Sequence, residues 1–168
     1  MDNKLKSSPS KRLMAVYPTT KGFGYLIIED SQNIVNWGVV NHKHDGFLTK
    51  KFLNLVKKYG VDVLITEHFG KDSQRKFKAI NRTMMFRRLA RTHKLSVTSF
   101  SKEKVDVVFG SFGAYTKDSR ACVVASQISP LKKWCPPKRK AWQPEHHRMA
   151  VFDCAVLALV YLYMDVER

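Results

Sequence analysis

Val61-Asp62-Val63-Leu64-Ile65-Thr66-Glu67 is the stretch from which the fold can be read. Its near-continuous apolar run, too short for a helix and rich in β-branched residues, predicts a strand buried on both faces, as in the parallel part of an α/β sheet. A parallel strand needs helical crossovers, and both flanks supply one. Upstream, Phe47, Leu48, Phe52, Leu55, Val56 and Tyr59 recur at helical spacing with lysines between them, and Gly60 follows as a stop. Downstream, Ser73 to Lys94 predicts a long helix with an apolar set at Phe77, Ile80, Met84 and Leu89 and nine Lys/Arg from Lys71 to Lys94. Leu95 to Phe100 predicts the next strand.

Further out, Leu13 to Val16 and Gly24 to Ile28 predict two strands joined by a turn over Pro18 to Gly22. A polar turn at Asp30 to Asn33 and a strand over Ile34 to Val40 complete a meander. After Phe100 come a helix from Lys117 to Ser129, a basic, proline-rich loop from Pro130 to Pro144, and a last helix from about Glu145 to Asp165. Three strands followed by alternating helix and strand give a mixed, five-stranded α/β sheet with flanking helices. Residues 1 to 11 are expected to be a disordered basic tail, because charge, Ser and Pro leave nothing to pack. Residues 12 to 168 are expected to form one domain, since 168 residues at 44% hydrophobic content can bury a core without disulfides.

The charge sets the partner class. Thirty Lys+Arg against fourteen Asp+Glu leave +16, far beyond what solubility needs and costly in self-repulsion unless a polyanion binds. Nucleic acid is the first candidate. A membrane surface would call for an amphipathic basic helix or a lipid signal, and neither is evident. The apolar run Cys154 to Met164 is about half the ~20 residues that span a bilayer. Cys122, Cys135 and Cys154 are three in number, far apart and without Cys-x-x-Cys spacing, which suits a reducing, cytoplasmic setting and suggests neither a disulfide framework nor a zinc site.

Two carboxylates stand out. Glu67 ends a buried strand, where ligands gather in open α/β sheets. Asp153 lies inside the apolar run Met149 to Leu157, where a lone carboxylate is expensive and needs a cation, either a divalent metal or a basic partner such as Arg148. His146 precedes Asp153 by seven residues, two helical turns or roughly 10 Å, too far for one metal along a straight helix. Glu145 and His146 on a flexible first turn would reach the same cleft; as capping residues they would not. The loop from Leu131 to Trp142 interleaves Lys132, Lys133, Lys138, Arg139 and Lys140 with Trp134 and Trp142, a combination suited to tracking phosphates and stacking on bases. A second basic stripe runs through Arg75, Lys76, Lys78, Arg82, Arg87, Arg88 and Arg91.

The segment from Leu13 to Tyr25 resembles the opening of RuvC-type Holliday-junction resolvases, RNase H-like proteins whose first strand ends in an Asp-Pro-Gly-Thr-like turn followed by Gly-Tyr. Glu67 after Val-Leu-Ile-Thr matches their second acid, and Asp153-Cys154-Ala155 their last. Small bacterial RuvC-like proteins are similar at Val16 to Thr20, Pro136 to Trp142 and Arg148 to Ala155, so the resemblance covers about residues 12 to 164. It implies an RNase H-like fold, Mg²⁺ or Mn²⁺ held by Glu67 and Asp153, branched DNA as partner in preference to RNA, and a homodimer. It also implies a phosphate contact for Lys117 at a helix start, and an aromatic role near the junction centre for Phe69, whose other reading is core packing.

The departures from the family pattern are equally specific. Tyr17 stands where the first metal-binding Asp belongs, and Ala150 where an Asp or His precedes the last acid. A phenol is a poor substitute for a hard carboxylate ligand. Either Glu145, His146 or Asp118 rebuilds a metal site with Glu67 and Asp153, giving a Mg²⁺-dependent endodeoxyribonuclease, or cleavage is lost and the fold binds nucleic acid only.

Overall fold

The computed structural model describes residues 10–71 and 73–166. Strands β1 (Leu13–Pro18), β2 (Gly22–Ile28), β3 (Ile34–Asn41), β4 (Val63–Glu67) and β5 (Ser96–Phe100) form one sheet in the order β3-β2-β1-β4-β5. The meander β1-β2-β3 is antiparallel, while β4 runs parallel to both β1 and β5. The helices are α1 (Asp45–Tyr59), α2 (Phe77–Thr92), α3 (Lys102–Gly110), α4 (Lys117–Gln127) and α5 (Met149–Val166), with a 3-10 helix at Ser129–Trp134. The expected mixed five-stranded sheet is therefore present. Of the tail expected over residues 1 to 11, residues 1 to 9 lie outside the described residues.

Both faces of the sheet are covered, which explains the unbroken apolar runs of β1 and β4. Leu13, Ala15, Tyr17, Val63 and Ile65 face α5 and its Val151, Phe152 and Ala155. Met14, Val16 and Leu64 face Leu48, Phe52 and Val56 of α1 and Phe86 and Ala90 of α2. Gly24 permits the closest of these approaches: a Cβ there would lie 2.7 Å from Ala150 Cβ, at the start of α5. Gly60 ends α1 in the left-handed region, with φ 57°, where a side chain is disfavoured.

Three helices differ from expectation. The helix α2 starts at Phe77 rather than Ser73 and buries Arg82, Thr83, Phe86 and Ala90, while Phe77 and Met84 are 78% and 51% exposed. The dense basic sequence obscured this face, because one of its buried positions is itself an arginine. Arg82 Nε donates to Asp45 Oδ1 at 3.0 Å, and its Nη1 donates to Thr19 O at 3.0 Å. Arg82 therefore ties α2 to α1 and the β1–β2 turn, and as a nucleic-acid contact it is corrected. The helix α3 was not expected. It is held by the Ser101 cap, which accepts from Lys104 N–H, and by Val105 and Phe109 one turn apart. Finally, α5 begins at Met149, not near Glu145. Arg148 N–H donates to His146 Nδ1 at 3.2 Å and Met149 N–H to His146 O at 2.9 Å, a turn that leaves Glu145 and His146 outside the helix. No helix among the described residues is long and apolar enough to cross a membrane.

Candidate nucleic-acid cleft

The parallel pairing of β1, β4 and β5 brings their carboxyl ends to one edge of the sheet. A cleft of about 840 Å³ opens there, lined by Tyr17 from β1, Glu67 at the end of β4, Ser101 after β5, Lys117 at the start of α4 and Asp153 from α5. Lys117 is placed by a capping box, in which Thr116 and Ser119 satisfy each other's backbone N–H.

The charges of Glu67, Asp153, Arg75 and Lys117 are paired side chain to side chain. Arg75 Nη2 donates to Glu67 Oε2 at 2.9 Å. Lys117 Nζ lies 3.2 Å from Asp153 Oδ2 and 3.0 Å from both carboxylate oxygens of Glu145. The two cations also share the ring of Tyr17: Arg75 Cζ is 4.5 Å and Lys117 Nζ 5.5 Å from its centroid. Burial, reinforced by the charge of Asp153, lifts the Glu67 carboxyl to about 7 against the pull of Lys117 and Lys102. The Arg75 ion pair also favours the carboxylate, so burial and like charge oppose three cations at this residue. Asp153 is likewise raised by burial, to about 6, with Glu145 adding to the rise and Lys117 and Arg75 opposing it.

These residues do not fit a divalent metal. Mg²⁺ needs several oxygen donors at about 2.1 Å in near-octahedral array. Among the described residues no group of three or more His, Cys, Asp or Glu is placed to hold an ion. Glu67 and Asp153 each have a basic partner, and Tyr17 and Ala150 supply no carboxylate. The expected rescue by His146 fails because His146 does not line the cleft: it lines an adjoining pocket of about 280 Å³ with Thr116, Asp118, Arg139 and Glu145, joined to the cleft at Lys117 and Met149. Its ring stacks on His147 at 4.4 Å. Glu145 reaches the cleft only through Lys117.

The remaining sequence candidates divide by exposure. Phe69 is half-buried and lines the cleft. Lys132, Lys133, Lys138, Arg139 and Lys140 are exposed, as is Trp142 at 77%. Trp134 is corrected as a free stacking platform: it is half-buried, meets Trp37 edge-on at 6.1 Å and carries the Arg148 guanidinium over its ring at 5.1 Å. Arg87 is half-buried and Arg88 exposed on α2, which packs on the opposite face of the sheet from Trp134 and α5. Arg148 is thus the partner of Trp134, while Lys117 is the cation that Asp153 required. Arg75, Lys102 and Tyr115 also line the cleft, and nothing local in the sequence marks them for it. Arg75 read as one of many basic residues, and Lys102 opens the helix that was not expected.

No protein-family model matches the chain, and no curated protein matches it in sequence. In structure it is similar to RuvC of Thermus thermophilus, with a TM-score of 0.65 at 12% identity over 92% of this chain and 96% of that one. The T. thermophilus RuvC structure in complex with Holliday junction substrate gives a TM-score of 0.62 at 13% identity, with the same coverage. The fowlpox virus Holliday junction resolvase gives 0.50 at 14% identity over 91% of this chain and 99% of that one. The fold is RNase H-like α/β of the RuvC kind.

Proposed function

We propose that this chain is a nucleic-acid-binding protein of RuvC type that engages branched DNA and has exchanged metal-dependent cleavage for binding alone. The observation that carries this reading is the occupancy of both remaining acids by basic side chains, Arg75 on Glu67 and Lys117 on Asp153. The net charge of +16 supports a polyanionic partner. The likeness to a resolvase solved with Holliday junction substrate supports a branched one. A homodimer belongs to the same proposal, since a two-fold protein matches a two-fold junction.

The test is a labelled four-way DNA junction beside a matched duplex and an RNA junction of the same shape, incubated with Mg²⁺ or Mn²⁺. Expected are preferential, salt-sensitive binding of the DNA junction and no nicking. Metal-dependent nicking that disappears in Asp153→Asn would establish an endonuclease and overturn the binding-only reading; equal affinity for duplex and junction would remove the preference for branches.

A further inference from the structure

We propose that Arg75 and Lys117 form a phosphate clamp in the cleft, so that an internucleotide phosphate of the bound nucleic acid is held by two side-chain cations and no divalent ion is needed. The inference rests on the nucleic-acid-binding reading and specifies how the cleft serves it.

A two-metal site is strongly acidic before its ions arrive, and only the ions make it attractive to a phosphate. Here the charge is already compensated. Five lysines and arginines line the cleft against three acids. Counting also Glu145 and Asp106, which pair with Lys117 and Arg120 from outside that lining, brings the cluster to balance and no further. Burial disfavours the charged form of Glu67, which tips the balance toward positive. Arg75 and Lys117 both sit against Tyr17 and therefore lie within about 10 Å of each other. Their side chains are 31% and 44% exposed, whereas their partners Glu67 and Asp153 are 19% and 12% exposed. Arg75 and Lys117 thus lie nearer the mouth and Glu67 and Asp153 nearer the floor, while Glu145, 43% exposed, meets Lys117 from the rim. A phosphate entering from solvent meets the cations first and takes over their hydrogen bonds, with Arg75 offering a fork and Lys117 adding the amino end of α4 behind it. Glu67, Asp153 and Glu145 act as resident counter-ions with which the phosphate competes. The ring of Tyr17 closes the floor where a metal-binding acid would stand and gives both cations a surface to rest on.

The experiment combines fluorescence anisotropy on a labelled four-way DNA junction with phosphate-ethylation interference on the same substrate. Binding is expected to be equal in EDTA and in Mg²⁺. Arg75→Ala and Lys117→Ala are each expected to reduce the slope of log affinity against log salt by about 1. The double variant should lose interference at a discrete phosphate near the branch while the rest of the footprint stays. Arg75→Lys and Lys117→Arg should retain it. Glu67→Gln, which removes the competing acid and keeps a hydrogen-bond partner for Arg75, should tighten binding several-fold, and it reports on the clamp even if the alanine variants fold poorly by circular dichroism. An unchanged interference pattern in a folded double variant, looser binding by Glu67→Gln, or affinity that collapses in EDTA would each overturn the clamp while leaving nucleic-acid binding intact. Failure of the wild-type protein to bind the junction would overturn both.

Discussion

Glu67 stands at the end of a strand with too little water around it, and this has a thermodynamic consequence with a definite sign. Its carboxyl is raised from 4.5 to about 7 in the folded protein, so between those values the native state holds a proton that the unfolded chain has released. Stability contributed by this group is fully present below pH 4.5 and is lost as pH rises through 7. Asp153, raised from 3.8 to about 6, adds in the same direction. Urea unfolding at pH 5 and pH 8 is expected to show a fall in stability on the order of 2 kcal/mol, once the opposing Arg75 pair is discounted. Glu67→Gln should flatten that fall. A protein more stable at pH 8 than at pH 5 would mean that the ion pairs dominate and both carboxyls ionise readily. Glu67 and Asp153 could be picked out in the sequence because each is a charge where its neighbours are apolar. Arg75 and Arg82 could not, because in a segment with nine basic residues nothing local distinguishes the arginine beside Glu67 or the one under α2 from those in solvent.

Elements were legible where one rule governed them and illegible where tertiary packing decided. The strands β1 and β4 read correctly because burial on both faces leaves a continuous apolar run, and α1 because its stripe and Gly60 agree. The nine-residue α3 is too short to show a stripe and depends on its cap and two anchors. The helix α5 was expected one turn early because nothing in Glu145-His146-His147 signals a stop; the turn centred on His146 provides it. The packing of α5 on β2 gives an element-scale expectation. Gly24 is paired with Tyr17 across the β1–β2 ladder and lies beneath Ala150, with only 2.7 Å available between a new Cβ and the Ala150 Cβ. Gly24→Ala should therefore push the start of α5 off the sheet and cost about 1–3 kcal/mol in thermal or urea unfolding. Because Asp153 sits one turn further along α5, the same variant should weaken junction binding beyond what a distant mutation of equal stability cost does. A variant of wild-type stability would show that α5 can shift to accept the methyl group.

At the scale of the whole molecule, the two basic stretches legible in the sequence, the loop from Leu131 to Trp142 and the helix α2, lie on different faces of the sheet, a division that the linear sequence does not reveal. The loop bearing Lys138, Arg139 and Lys140 returns beside the amino end of α4, where Arg139 and Pro137 share a pocket with Lys117. Through Arg139 it therefore adds basic charge beside Lys117, and the loop ends in Trp142, 77% exposed, with Lys140 Nζ 5.7 Å from its ring. Lys78, Arg88 and Arg91 lie on α2, across the sheet. If nucleic acid seats in the cleft, the two sets must contribute unequally. Neutralising Lys138, Arg139 and Lys140 to alanine should weaken junction binding strongly and reduce the salt slope by about 2–3. Neutralising Lys78, Arg88 and Arg91 removes the same number of charges, so the long-range attraction falls equally in both variants, and only phosphate contacts separate them. The α2 variant should keep nearly the full slope. The opposite ranking would place the nucleic acid across α2, with the cleft and its paired charges facing away from it.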